Sequence, residues 1–235
     1  MRSKIIFYIL VFAGLLIFTA GIYFAGKRIK TRWIVHKTLV SPHWQDRYAQ
    51  MKQLPGGKYS VVFLGNSLTE LFSLEQYFAD SAYLNAGIVG DFTEGLLQRV
   101  DEITALKPKK IFIEIGINDI IEQVPMDEIA ENYEELVRRI KAQSPATEIY
   151  IQSNLPVVIR RPGLFTGTKE VNKKVIELNG RLRRLAWRQG VHFVDLYSYF
   201  ARSGNVEDLL IPDGIHLTHK AYSVWKLAVA PYLEK

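Results

Sequence analysis

Strands and helices that alternate along the chain with short connections predict an α/β fold, its parallel sheet covered on both faces. Two further observations set its limits. A long charge-free run precedes the alternating part. Within it, "KIFIEIG" carries isoleucine on both faces, as a central parallel strand does.

The 22 residues from Ile5 to Gly26 carry no charge. As a helix they extend about 33 Å at about 1.5 Å per residue, enough to cross about 30 Å of hydrocarbon. A transmembrane anchor at 5–26, behind a short tail at 1–4, is therefore expected. A cleaved signal peptide would have a shorter apolar region, about 7–15 residues, and an A-x-A-like site. Here Ala20 follows Phe18 and Thr19, and Ala25 follows Tyr23 and Phe24. A buried core helix is the third reading.

Residues 27–57 form a basic juxtamembrane segment and a short helix from Ser41, ended by "PGG" at 55–57. A domain over 58–235 follows. "YSVVFLG" (59–65) reads as a strand, 68–79 as a helix, "SAYLNAG" (81–87) as a strand and 91–106 as a helix stopped by Lys107-Pro108. "KIFIEIG" (110–116) is the next strand. Asp127 caps a helix to about Gln143, with Ile129, Tyr133, Leu136, Val137 and Ile140 on one face. Then come a strand at 148–154, a long basic helix at 169–189, a strand at 191–196 and a closing helix at 218–233.

A net charge of +6 points toward nucleic acid until the charges are located. Residues 1–40 hold seven Lys/Arg and no acid, which leaves 23 basic and 24 acidic residues beyond them. The basicity belongs to the membrane flanks, where it meets anionic headgroups, and no nucleic-acid partner is expected. The chain has no cysteine, so disulfides, thiolate metal sites and cysteine nucleophiles are all excluded. His36, His43, His192 and His219 show no metal-binding spacing, and no metal or other cofactor is expected.

Parallel sheets bind ligands at the carboxyl ends of their strands. Four such ends stand out: Gly65-Asn66-Ser67, Asn85-Ala86-Gly87, Gly116-Ile117-Asn118-Asp119 and Asn154. A serine there can be a nucleophile if a base takes its proton and an acid orients the base. "PDGIHLT" supplies both, with Asp213 three residues before His216. The Ser67 amide, the Gly87 amide and the Asn118 side chain could form an oxyanion hole. Taken singly, each piece is equally a helix cap, a turn pair or a positive-φ glycine.

Their order is more specific. The chain resembles the SGNH, or GDSL-type, hydrolases: "GNSLTE" carries the serine, "NAGIVGD" the glycine, "GIND" the asparagine and "DGIHLT" the aspartate and histidine. The first block departs from Gly-Asp-Ser at Asn66, which can keep the turn without the charge. The resemblance implies a flavodoxin-like three-layer α/β/α sandwich, a Ser67-His216-Asp213 triad and oxyanion donors from Ser67, Gly87 and Asn118. It also implies an esterase, most similar to bacterial acetylhydrolase-like and sialate O-acetylesterase-like members. Arg160 and Arg161, in the longest predicted loop, are possible contacts to an acidic substrate.

A membrane-anchored esterase releasing small acyl groups, acetyl foremost, from carbohydrate is the expected function. A lysophospholipase or other lipid acylhydrolase is the alternative. A non-catalytic, membrane-tethered binding module is the other class, and it would be expected to have lost one of Ser67, Asn118, Asp213 or His216. The flanking charges favour a cytoplasmic domain, whereas a short tail before a single apolar segment favours export. The domain is expected to face the periplasm or exterior.

Overall fold

A computed structural model describes residues 2–78, 82–160 and 167–233. Helix α1 (Arg2–Leu39) is followed by α2 (Pro42–Lys52), β1 (Val61–Gly65), α3 (Ser67–Glu70), α4 (Leu74–Tyr77) and β2 (Tyr83–Gly87). Then come α5 (Thr93–Ala105), β3 (Lys110–Glu114), α6 (Ile117–Ile121), α7 (Met126–Gln143) and β4 (Glu148–Gln152). The chain continues through α8 (Thr168–Gln189), β5 (His192–Val194), α9 (Leu196–Arg202), a short 3-10 turn (Val206–Leu209) and α10 (His219–Leu233).

The five strands form one parallel sheet in the order β2-β1-β3-β4-β5. This is the flavodoxin-like order, whose topological switch lies between β1 and β3. Two apolar layers sandwich the sheet. Val62, Leu64, Ile111, Ile113, Ile149 and Ile151 pack with α5, α7 and α8. The alternate residues Val61, Phe63, Phe112 and Tyr150 pack with α9 and α10. On this second face Phe63, Phe112 and Tyr150 stack in a row, with ring centroids 5.1 and 4.5 Å apart.

Several expected boundaries shift. The helix expected at 68–79 is two short helices, α3 and α4, because Phe72 is drawn into the core between them. The Asn85 side chain, from the neighbouring strand, donates to the carbonyls of Thr69, Glu70 and Phe72, and this satisfies the groups a helix end leaves open. Helix α7 is capped at Pro125 rather than Asp127. The short α6 and α9 fall where loop and strand end were expected.

The N-terminal part differs most. From Phe12 to Leu39 the structure has one helix long and apolar enough to cross a membrane, with mean hydropathy 1.3. It does not stop at Gly26 but continues unbroken to Leu39. Its last turns enter the domain: Val35 and Leu39, then Trp44 and Met51 of α2, are buried in the same cluster as β1 and β3. Thr31 donates to the Glu122 carbonyl at 2.9 Å, and Arg32 pairs with Glu94 at 2.7 Å and Glu128 at 2.9 Å. The packed unit therefore begins near Thr31, not at Lys58.

Candidate active site

Gly65 ends β1 because nothing larger fits. A Cβ there would lie 2.3 Å from both the Glu114 carbonyl oxygen and Thr69 Oγ1. That close approach brings β1 and β3 against α3, and the next two residues turn the chain into it. Asn66 Oδ1 caps this turn by accepting the Leu68 N–H at 2.8 Å, the role expected of an uncharged residue here. Ser67 opens α3, where its amide has no intrahelical carbonyl to reach. Ser67 is 5% exposed, so little of it reaches solvent.

The structure brings Ser67, His216 and Asp213 together. Ser67 Oγ lies 2.9 Å from His216 Nε2, and His216 Nδ1 lies 2.6 Å from Asp213 Oδ2. Asp213 Oδ1 accepts the amides of Ile215 (2.8 Å) and His216 (2.9 Å), fixing the carboxylate before it meets the ring. Gly214, at φ +77°, makes this turn possible, since a Cβ there would strike the Val158 carbonyl at 1.8 Å. Burial pulls the Asp213 carboxyl upward. The hydrogen bonds from His216 and from the two amides outweigh it and hold the group below the usual range. With Asp213 charged, Nδ1 carries the proton and Nε2 is free to accept one from Ser67.

Asn118 lies at the carboxyl end of β3, in α6, and its Nδ2 donates to the Asp91 carbonyl at 2.9 Å. That uses one of two amide hydrogens and leaves the other.

Gly87 is a correction. Its N–H already donates to Asn85 Oδ1 at 2.9 Å, so it is not free for an oxyanion. Its lack of a side chain serves packing instead, because a Cβ would come within 2.1 Å of the Glu70 nitrogen. The candidate missed is Gly90, three residues on. It has φ +78°, and among the described residues its amide reaches no acceptor. It adjoins Asp91, whose carbonyl holds Asn118. The signal was the second glycine of "NAGIVGD".

Arg160 is exposed and lines a cleft of about 560 Å³ with Ile121, Ile159, Val171, Pro212, Asp213 and Ile215. Arg161 lies outside the described residues.

A buried ion pair braces this edge. Arg99 is fully buried in α5 and bonds Asp91 at 2.9 Å, the Ala86 carbonyl at 2.7 Å and the Gly65 carbonyl at 2.9 Å. One guanidinium thus ties the ends of β1 and β2 to the loop before α5. Trp44 Nε1 of α2 donates to the same aspartate at 2.9 Å. His43 and Arg47, also of α2, reach Glu70 and the carbonyls of Asn85 and Gly87, and Glu70 in turn accepts the Val89 amide at 2.5 Å.

A doubly wound parallel sheet with these groups on its carboxyl edge defines an α/β/α acylhydrolase. Residues 63–224 match the GDSL-like lipase/acylhydrolase family, and the chain belongs to that family and to the SGNH superfamily. Among its relatives is the human platelet-activating factor acetylhydrolase IB subunit alpha2, 32% identical over 173 residues, covering 69% of this chain and 71% of that protein. Another is the N-acylneuraminate cytidylyltransferase of Streptococcus agalactiae, 25% identical over 162 residues and 69% of this chain. The chain spans only 36% of that relative's length. A GDSL-like lipase from Bacteroides thetaiotaomicron superposes with a TM-score of 0.69 at 23% identity, over 80% of this chain and 96% of that one, and shows the fold.

Proposed function

We propose that this protein is a membrane-anchored serine esterase that removes small acyl groups, acetyl foremost, from carbohydrate. The observation that carries the reading is the line of hydrogen bonds from Ser67 Oγ through His216 to Asp213, at 2.9 and 2.6 Å.

In the first step His216 Nε2 takes the Ser67 proton as Oγ attacks the ester carbonyl carbon. The oxygen that becomes negative faces N–H donors from Ser67, Gly90 and Asn118. His216 then gives the proton to the ester oxygen, the acyl–oxygen bond breaks and the alcohol leaves. Water supplies the second half: it gives a proton to His216 and its hydroxyl to the acyl carbon. The acid departs, and Ser67 regains its proton. Asp213 stays charged throughout and steadies the imidazolium.

A small acyl group is favoured because no insertion after Gly57 is large enough for a deep lipid tunnel. The cleft beside Asp213 holds about 560 Å³, and the acetylhydrolase relative is named for release of the same acyl group. Arg160 suits an acidic sugar. The charge-free run of α1 supports the anchor.

The test is p-nitrophenyl acetate hydrolysis by the full chain and by Ser67→Ala and His216→Ala. Each variant is expected to lose roughly 10⁴–10⁶ in turnover, as members of a unit that fails together. Near-native turnover in Ser67→Ala would remove the serine mechanism, whereas a full chain with no hydrolysis would favour a binding module. Faster release of long acyl chains from lysophospholipids than of acetate from acetylated sugars would favour a lipid acylhydrolase.

A further inference from the structure

The carboxyl edge of the sheet, where the chemistry lies, is also the edge on which α1 docks. Thr31 bonds the carbonyl of Glu122, just after α6, the helix that carries Asn118. Ile121, one residue earlier, lines the cleft beside Asp213. Arg32 is held by Glu94 at the start of α5 and Glu128 at the start of α7. At the far end of the contact a Cβ on Gly90 would lie 3.4 Å from Thr38 Cγ2. In the other direction Ile22, Tyr23 and Lys27 line a cavity together with Glu122 and Gln123. The apolar part of α1 therefore leaves the domain on its catalytic side.

The distances along the helix are short. Thr31 and Thr38 follow Gly26 by 5 and 12 residues, or about 8 and 18 Å at about 1.5 Å per residue. The headgroup layer occupies about 5–8 Å beyond the hydrocarbon on each side. The catalytic edge thus spans the zone from the outer headgroup level to about 18 Å above the apolar boundary. The helix is continuous through this stretch, so the height is set by the fold rather than by a linker.

Two features of the surface fit that placement. Lys27, Arg28 and Lys30 border the docking site of α1 where it meets the turn after α6. Exposed Arg160 adds a further cation at the cleft, and cations at this level attract anionic lipid. Val40, Leu71, Val89 and Ile211 are exposed apolar side chains on segments that border Gly90, Ser67 and Asp213.

We infer that the substrate is a membrane lipid rather than a free sugar: an anionic lipid whose sugar headgroup carries the acetyl ester. This rests on the esterase reading and on α1 as the anchor. Net hydrolysis consumes one water and releases acetate, leaving a free hydroxyl on the headgroup and the lipid in the bilayer.

The full chain is reconstituted into phosphatidylcholine vesicles containing phosphatidylglycerol. Its probes are a phosphatidyl-linked acetylated glucose in the bilayer, the same acetylated headgroup cut free of lipid, and p-nitrophenyl acetate in water. A second protein carries a flexible Gly/Ser linker of about 20 residues between Gly26 and Lys27, long enough to let the domain turn. The native chain is expected to release acetate from the embedded probe with at least tenfold higher kcat/KM than from the free headgroup. The linker variant should lose that preference and keep its p-nitrophenyl acetate rate. Equal rates on embedded and free probes, or an unchanged preference in the linker variant, would each overturn the inference and leave the esterase reading intact; release of fatty acid in place of acetate would overturn it together with the small-acyl reading. A native chain inactive on p-nitrophenyl acetate would remove both.

Discussion

Glu114 closes β3 beneath the active-site turn, fully buried, and neither carboxyl oxygen meets a donor among the described residues. Burial pushes its pKa up to about 8. In the unfolded chain the carboxyl ionises near the ordinary value of about 4.3, so between the two the native state holds the extra proton. The stabilisation is whole below the lower value and is lost as pH rises to about 8, at up to about 1.4 kcal/mol per pH unit. Glu114→Gln keeps the shape and cannot ionise. Its melting temperature should therefore vary less than the native protein's between pH 5 and 9; parallel curves would show that Glu114 does not titrate there. Asn118 belongs to the same scale. Asn118→Ala should lose about 10²–10³ in turnover, or about 2.7–4 kcal/mol, with little change in KM, if its free amide hydrogen meets the oxyanion. A raised KM at normal turnover would assign it to substrate positioning. The meeting of Ser67, His216 and Asp213 could be anticipated because their chemistry is local and their order specific. The Gly87 reading failed because a side chain two residues away, Asn85, takes that amide, and spacing alone does not reveal such a partner.

Among the elements, the strands and the longer helices were readable and the shortest helices were not. The apolar stripe of α7 and the isoleucines of β3 announce themselves over many residues. Helices α6 and α9, of 5 and 7 residues, present too few turns to show a period. The break between α3 and α4 depends on Phe72 entering a core built by distant residues. Helix α1 carried a different ambiguity: charges after Gly26 marked the end of an apolar run, not the end of a helix. Its Val35 and Leu39 are core residues, so a truncation removing 1–40 should melt well below one removing 1–28. Loss of a buried leucine typically destabilises by about 2–5 kcal/mol. Circular dichroism melts of the two would decide; equal midpoints would mean that the last turns of α1 are dispensable.

For the whole molecule, charge separates into a basic flank and a nearly neutral domain. Five cationic residues between Lys27 and Lys37 follow the apolar run, against Arg2, Lys4 and the amino terminus before it. That small excess favours retention inside, but a large domain translocates largely regardless of charge. On the proposed orientation, with the domain facing the periplasm or exterior, a reporter that fluoresces only in the cytoplasm, fused to Lys235, is expected to stay dark. A bright fusion would reverse the orientation.

With α1 as the proposed anchor, its unbroken passage into the core also changes what concentration means for the proposed esterase. A domain held by its helix within about 18 Å of the bilayer meets an embedded substrate by lateral diffusion in two dimensions. Its saturation would then follow the mole fraction of substrate in the membrane, not the amount per litre. Adding inert lipid at constant total substrate would slow it, as dilution in a plane rather than in a volume.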